Sequence, residues 1–208
     1  MPSSPHHILL LGGHGKVSQL LTPLLLSRSH TVTSLIRSAS QKPTIQALAP
    51  SPNPGHLSIL VHSLDSVKSQ ADASSIIDRA GAEAGIPVDW IVWSAGAGGK
   101  GGPEATLAVD RDAAIAFTRA AVADPRVRKF VTVSYIASRH GSAPWWSDKD
   151  KEWARKINEE VLPTYFRAKV AADEVLTVES RRRYEEEKDR GVGEEDRFCG
   201  VSLRPGNL

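Results

Sequence analysis

Apolar positions in this chain alternate between short continuous runs and stretches at helical spacing. Residues 6–11 read His-His-Ile-Leu-Leu-Leu, the unbroken kind of run found in a strand buried on both faces. Val17, Leu20, Leu21, Leu24 and Leu25 follow three and four apart, which predicts a helix that Pro23 should bend or shorten. The β-branched run 31–36 predicts a second strand. Residues 38–55, rich in Ser, Pro, Ala and Asn, read as loop with the start of a helix at 43–48. A strand over 57–64, a helix over 69–84 and a strand over 89–94 come next, then a glycine-rich loop at 95–102, a helix over 106–123 and a strand over 129–134. Beyond a loop at 138–150 lie helices over 151–160 and 164–180 and a sixth strand over 198–203.

Strands that alternate with helices of this length imply an α/β protein built on a doubly wound parallel sheet, a single domain over 1–208. One segment departs from the pattern. Residues 181–197 are dominated by Arg, Glu, Lys and Asp, and pairs of opposite sign three and four apart would prolong the preceding helix. The expected reading is a solvated surface insertion.

In such a sheet ligands bind beyond the carboxyl ends of the strands, so the chemistry is sought in the loops that follow them. The first loop carries Gly12, Gly13, His14 and Gly15, and a helix opens at Lys16 and Val17. Glycines let backbone approach a dinucleotide pyrophosphate, and a helix N-terminus offers free N–H groups and a positive dipole end. His14 lies inside that turn, and Ser18 stands where a third glycine often sits. After the second strand come Arg37 and Ser38, with no acid nearby. A guanidinium there accommodates a 2′-phosphate, which points to NADP(H) in preference to NAD(H). After the third strand, Leu64 and Asp65 are placed to meet adenine, with Asp65 as cap of the next helix the competing role. Ala95, Gly96 and Ala97 bring bare backbone toward the ribose and nicotinamide after the fourth strand, and Gly99 and Lys100 follow in the same loop. Tyr165 and Lys169, four apart on one helix face, form a pair in which the ammonium would lower the phenol pKa for acid–base work.

Composition narrows the class. The 208 residues are 40% hydrophobic and 24% charged with a net charge of +2, which argues against a dedicated nucleic-acid surface. No run reaches the roughly 20 apolar residues of a membrane span, and the N-terminus lacks the regions of a signal peptide. The single cysteine, Cys199, excludes an intrachain disulfide, so a cytoplasmic location is expected. The histidines show no recognisable metal spacing, and no metal is expected.

The segments LLLGGHGKVS, VTSLIR, WSAGAGGKGGP, VDRDAAIAF, FVTVSYIAS, YFRAKVAADEVL and LRPGNL together resemble the short-chain dehydrogenase/reductase superfamily. The likeness is greatest to its atypical NAD(P)H-binding, NmrA-like members of fungal type, and it runs along nearly the whole chain. It implies a Rossmann-like fold and a catalytic set of Ser, Tyr and Lys. Tyr165 and Lys169 fit that set, in which the resemblance has the tyrosine pass a proton and the lysine hold the cofactor ribose as well as tune the phenol. The expected serine slot falls on Tyr135, so either Ser134 or Ser138 substitutes or the triad is incomplete. The resemblance also places Pro205 and Gly206 beside the nicotinamide carboxamide, and it implies further elements after this turn, so a short substrate region is expected. Trp145 and Trp146 would lie over the substrate position or serve as anchors for their loop. Two functions follow from the resemblance. One is an NADP-dependent oxidoreductase acting on a small carbonyl or enone compound. The other is a regulator that senses NADPH/NADP and passes the state to a protein partner.

Overall fold

The computed structural model describes residues 5–52, 54–98 and 101–206. Its centre is a six-stranded sheet, all neighbours parallel, in the order β3-β2-β1-β4-β5-β6. The strands are β1 (His7–Leu11), β2 (Thr31–Ile36), β3 (His56–Val61), β4 (Trp90–Trp93), β5 (Lys129–Val133) and β6 (Cys199–Leu203). All five residues of β1 are buried, as a central strand covered on both faces demands. Side chains of a strand alternate between faces. Leu9 and Leu11 accordingly join Ile91, Trp93 and Phe130 in the main core, while Leu10 joins Val32 on the opposite side.

The helices are α1 (Lys16–Leu26), α2 (Lys42–Gln46), α3 (Gln70–Ala84), α4 (Gly102–Thr106), α5 (Ala114–Ala123), α6 (Asp148–Lys156) and α7 (Pro163–Asp189). Ile76 and Ile77 of α3, Phe117 of α5 and Leu176 of α7 fill the main core. Leu21, Leu25 and Leu26 of α1 cover the other face of β1 and β2. On that face Val92, Val131 and Val201 stand side by side in register across β4, β5 and β6, each only partly covered.

Three expectations need correction. Pro23 does not end α1, which runs through it to Leu26. A proline near the middle of a short helix forfeits one backbone bond, and the buried Thr22 and Leu26 hold the turn in place. The helix α3 is capped by Ser69, whose hydroxyl accepts from Asp72 N–H while Asp72 reaches back to the Ser69 N–H, so Asp65 is not its cap. The charged run after 180 is not simply a solvated insertion, because α7 continues to Asp189 with one face buried. Arg183 and Glu187 on that face are 6% exposed. The Arg183 guanidinium donates to Glu187 and to the carbonyls of Ala121, Val122 and Asp124 at the end of α5, and lies over the Phe198 ring. Glu187 in turn accepts from Phe198 N–H at the entrance to β6.

Candidate functional site

Strand order reverses between β1 and β4, and the loops leaving these two strands meet. Gly12 has φ +85°, a left-handed conformation, and a Cβ there would lie 2.6 Å from Ala95 Cα. A Cβ at Gly13 would lie 1.9 Å from Ser34 Oγ, and Gly13 N–H donates to the Leu35 carbonyl at the end of β2. Both glycines are thus required by close approach within the fold. Gly15 differs, since its φ is ordinary and its side faces the cavity. Helix α1 begins there with no side-chain cap, leaving its first N–H groups for a ligand. Cradle and uncapped helix together fit a dinucleotide pyrophosphate. His14 and Lys16 are exposed at this turn, and Val17 is half-buried.

A cavity of about 810 Å³ opens from this turn. Gly15, Lys16, Val17, Ala95, Gly96, Ser134 and Tyr165 are among the residues that line it. The glycine turn and the acid–base candidate, 150 residues apart in sequence from Gly15 to Tyr165, therefore share one space. Arg37 is exposed just past β2. Ser38 caps the short turn 39–41, its hydroxyl accepting from Ser40 N–H. Leu64 is buried and Asp65 exposed after β3. Pro205 is half-buried, its carbonyl accepting from Ile136 N–H, and Gly206 is exposed beside it. Gly99 and Lys100 lie outside the described residues.

Two of the expected roles are changed by what surrounds them. Lys169 is buried, and its Nζ donates to the Val133 carbonyl at 3.0 Å. Burial pulls the Lys169 ammonium pKa down, opposed by the carboxylates of Asp110 and Asp173. The Tyr165 phenol is pushed up to about 12, chiefly by burial and further by Asp110 and Asp173. The direction is opposite to the lowering expected from Lys169: burial and two acids raise the phenol, and the Lys169 ammonium is turned toward a backbone carbonyl. Tyr135 has its hydroxyl engaged within the protein. Its hydroxyl donates to Asn158 Oδ1 at 2.8 Å, and burial raises its pKa. Trp146 packs with Ala137, Ala143 and Ala154 as a loop anchor, while Trp145 is exposed and neither ring lines the cavity.

Sequence reasoning missed Asp110 and Asp173 as organisers. Asp110 sits in a π-helical turn, Leu107–Ala113, and its Oδ2 accepts from Ala97 N–H at 2.9 Å, fixing the loop after β4. Burial raises the Asp110 carboxyl pKa, against the Ala97 bond and Lys169. A second π turn, Ile157–Val161, leads into α7 and contributes Glu160 and Val161 to the cavity wall. Such turns widen a helix locally and recur at functional sites. Asp173 was within reach of a pattern argument, standing four residues after Lys169 and eight after Tyr165 on one helix face.

Comparison with known proteins agrees with this geometry. A family model described as NAD(P)H-binding matches residues 12–182. Over 171 residues, 81% of this chain, it is 33% identical to UPF0659 protein C216.03 of Schizosaccharomyces pombe and 28% identical to the uncharacterized sugar epimerase YhfK of Bacillus subtilis. The chain spans 63% and 64% of the lengths of these relatives. Among solved structures it is similar to a putative NAD-dependent epimerase/dehydratase from Bacillus halodurans, with TM-score 0.64, 22% identity and coverage of 98% of this chain and 71% of that one. It is also similar to a metagenomic short-chain oxidoreductase in complex with NADP, with TM-score 0.65, 16% identity and coverage of 99% and 85%. At these identities the solved structures speak to the fold. The family model and the fission-yeast relative go further, and with the glycine cradle they place this chain in the NAD(P)H-binding family of Rossmann-like proteins.

Proposed function

We propose that this protein is an NADP-dependent reductase of small carbonyl or enone compounds. The observation that carries the reading is one cavity lined both by Gly15 of the glycine turn and by Tyr165 and Ser134. The nicotinamide cofactor supplies hydride when bound. Gly15, Lys16 and Val17 would hold its pyrophosphate, Ala95, Gly96 and Ala97 would lie along the ribose, and Pro205 and Gly206 would bound the nicotinamide. The Tyr165 phenol, kept protonated by its surroundings, gives its proton to the carbonyl oxygen, which becomes the alcohol hydroxyl. Lys169 holds the Val133 backbone and the buried charge balance beneath the phenol.

Preference for the 2′-phosphate is assigned to Arg37 with Ser38. Calorimetry should show NADPH binding more tightly than NADH, and Arg37→Ala should weaken NADPH about tenfold, roughly 1.5 kcal/mol, with NADH little changed. Equal wild-type affinities for the two cofactors count against the assignment. A second reading, a regulator sensing NADPH/NADP, is favoured by the engagement of the Ser134 hydroxyl with Asp173. Tight NADPH binding with no turnover across a carbonyl panel would select it.

A further inference from the structure

Asp173 is a buried carboxylate surrounded by donors. Its Oδ2 accepts from Ser134 Oγ at 2.7 Å, from Ser138 Oγ at 2.7 Å and from Arg204 Nε at 3.4 Å. Its Oδ1 accepts from Ser202 Oγ at 3.0 Å. Three of these four donors converge on Oδ2, the oxygen that both Ser134 and Ser138 address. A serine hydroxyl has one proton. Ser134 and Ser138 have each given theirs to Asp173, and what either serine retains is acceptor capacity.

Of the two, Ser134 lines the cavity and Ser138 does not. Tyr165 lines the same cavity and holds a proton to give. Of the polar groups that line the cavity, among them Ser94, Thr106 and Asp110, Tyr165 offers a donor and Ser134 an acceptor. A lone carbonyl satisfies only the donor. We propose that Asp173 is a positioning residue that fixes Ser134 as a hydrogen-bond acceptor, so that the site selects ligands carrying a hydroxyl as well as a carbonyl, the hydroxy-ketone or hydroxy-aldehyde class. This rests on the proposed reading of the cavity as a carbonyl site and adds to it what stands beside the carbonyl. Rejection of the deoxy analogue follows from the same physics, since it would leave a buried acceptor unpaired.

The test uses 2-hydroxyacetophenone and acetophenone, which differ by one hydroxyl. Binding of each to the protein saturated with NADP⁺ is measured by calorimetry, and reduction of each is followed with NADPH. The hydroxy-ketone should win by about 3–10-fold in affinity and in kcat/KM, the worth of one hydrogen bond. Ser134→Ala should bring both ratios to about one. Asp173→Ala should do the same, since it leaves no side-chain acceptor for Ser134 there and frees the Ser134 proton toward the cavity. Wild-type ratios of one, including no detectable binding of either ketone, overturn the proposal. So do ratios that survive Ser134→Ala while both rates fall, because Ser134 would then be the carbonyl donor. A binding preference that depends on Ser134 without any turnover supports the hydroxyl assignment and removes the reductase reading.

Discussion

The phenol of Tyr165 shares its surroundings with two carboxylates, and these together with burial hold its proton on. With the pKa pushed up to about 12, the hydroxyl is protonated throughout the neutral range and acts as a donor. Reduction of a carbonyl uses such a group as it stands. Tyr165→Phe keeps the ring contact with Tyr135 but removes the proton. NADPH affinity measured by calorimetry should stay within about twofold, whereas turnover should fall by about 10²–10⁴-fold, the usual worth of general acid catalysis. Undiminished turnover in this variant would eliminate Tyr165 as the acid. The pair Tyr165 and Lys169 was legible from its spacing, and so was their common face. The surroundings were not, because Asp110 arrives from a helix more than fifty residues earlier and acts only through tertiary proximity.

At the level of elements, α7 links the sheet edge to the cavity. Its N-terminal turns carry Tyr165, Lys169 and Asp173, and its C-terminal turns carry the buried Arg183 and Glu187. The run Arg181-Arg182-Arg183 looks uniform in sequence, yet its members do different work. Arg182 pairs with Glu179 and Glu186 at the surface, and such exposed pairs contribute about 0–1 kcal/mol. Arg183 closes the carbonyl end of α5, where a cation also meets the negative pole of the helix. Losing it leaves Glu187 and several carbonyls buried without their donor. Arg183→Met should therefore lower stability by about 3–5 kcal/mol, and Arg182→Met by less than about 1 kcal/mol, in urea unfolding. Similar losses for the two variants would show that the buried end of α7 does not hold the fold. Sequence pattern located most strands and helices to within a few residues. It could not tell Arg183 from its neighbours, because burial of one face depends on how α7 crosses α5.

The molecule as a whole has its ligand site at the carboxyl ends of the strands and a group of histidines at the amino ends. His7 is 2% exposed, with Nδ1 donating to the Ile86 carbonyl and Nε2 accepting from Thr33 Oγ1. His30 Nδ1 accepts from His6 N–H, a bond that protonation would break. Burial lowers the pKa of both rings below 6.5. The folded state then binds fewer protons than the unfolded chain in this range, so stability is full above about pH 6.5 and declines as pH falls toward the folded-state values. Urea unfolding at pH 7.5 and 5.5 should show the lower value at 5.5. His7→Gln should be less stable at both values but lose less between them. A pH difference unchanged by this substitution would assign the acid sensitivity to other groups.

The sequence by itself determined the sheet class, the glycine turn, the Tyr165–Lys169 pair and the family. Each of these is written in local pattern: continuous apolar runs make buried strands, and glycines at a strand end mark close backbone approach. Tertiary structure alone decided the electrostatics of the site. Asp110 comes from a π turn after β4, Asp173 from α7, and Ser202 and Arg204 from β6 and the turn beyond it. A proton is assigned by whatever donors and acceptors surround it in space, and burial strengthens each of those interactions. Which way Ser134 points its hydrogen, and whether Tyr165 keeps its own, follow from groups that sequence separates and the fold brings together.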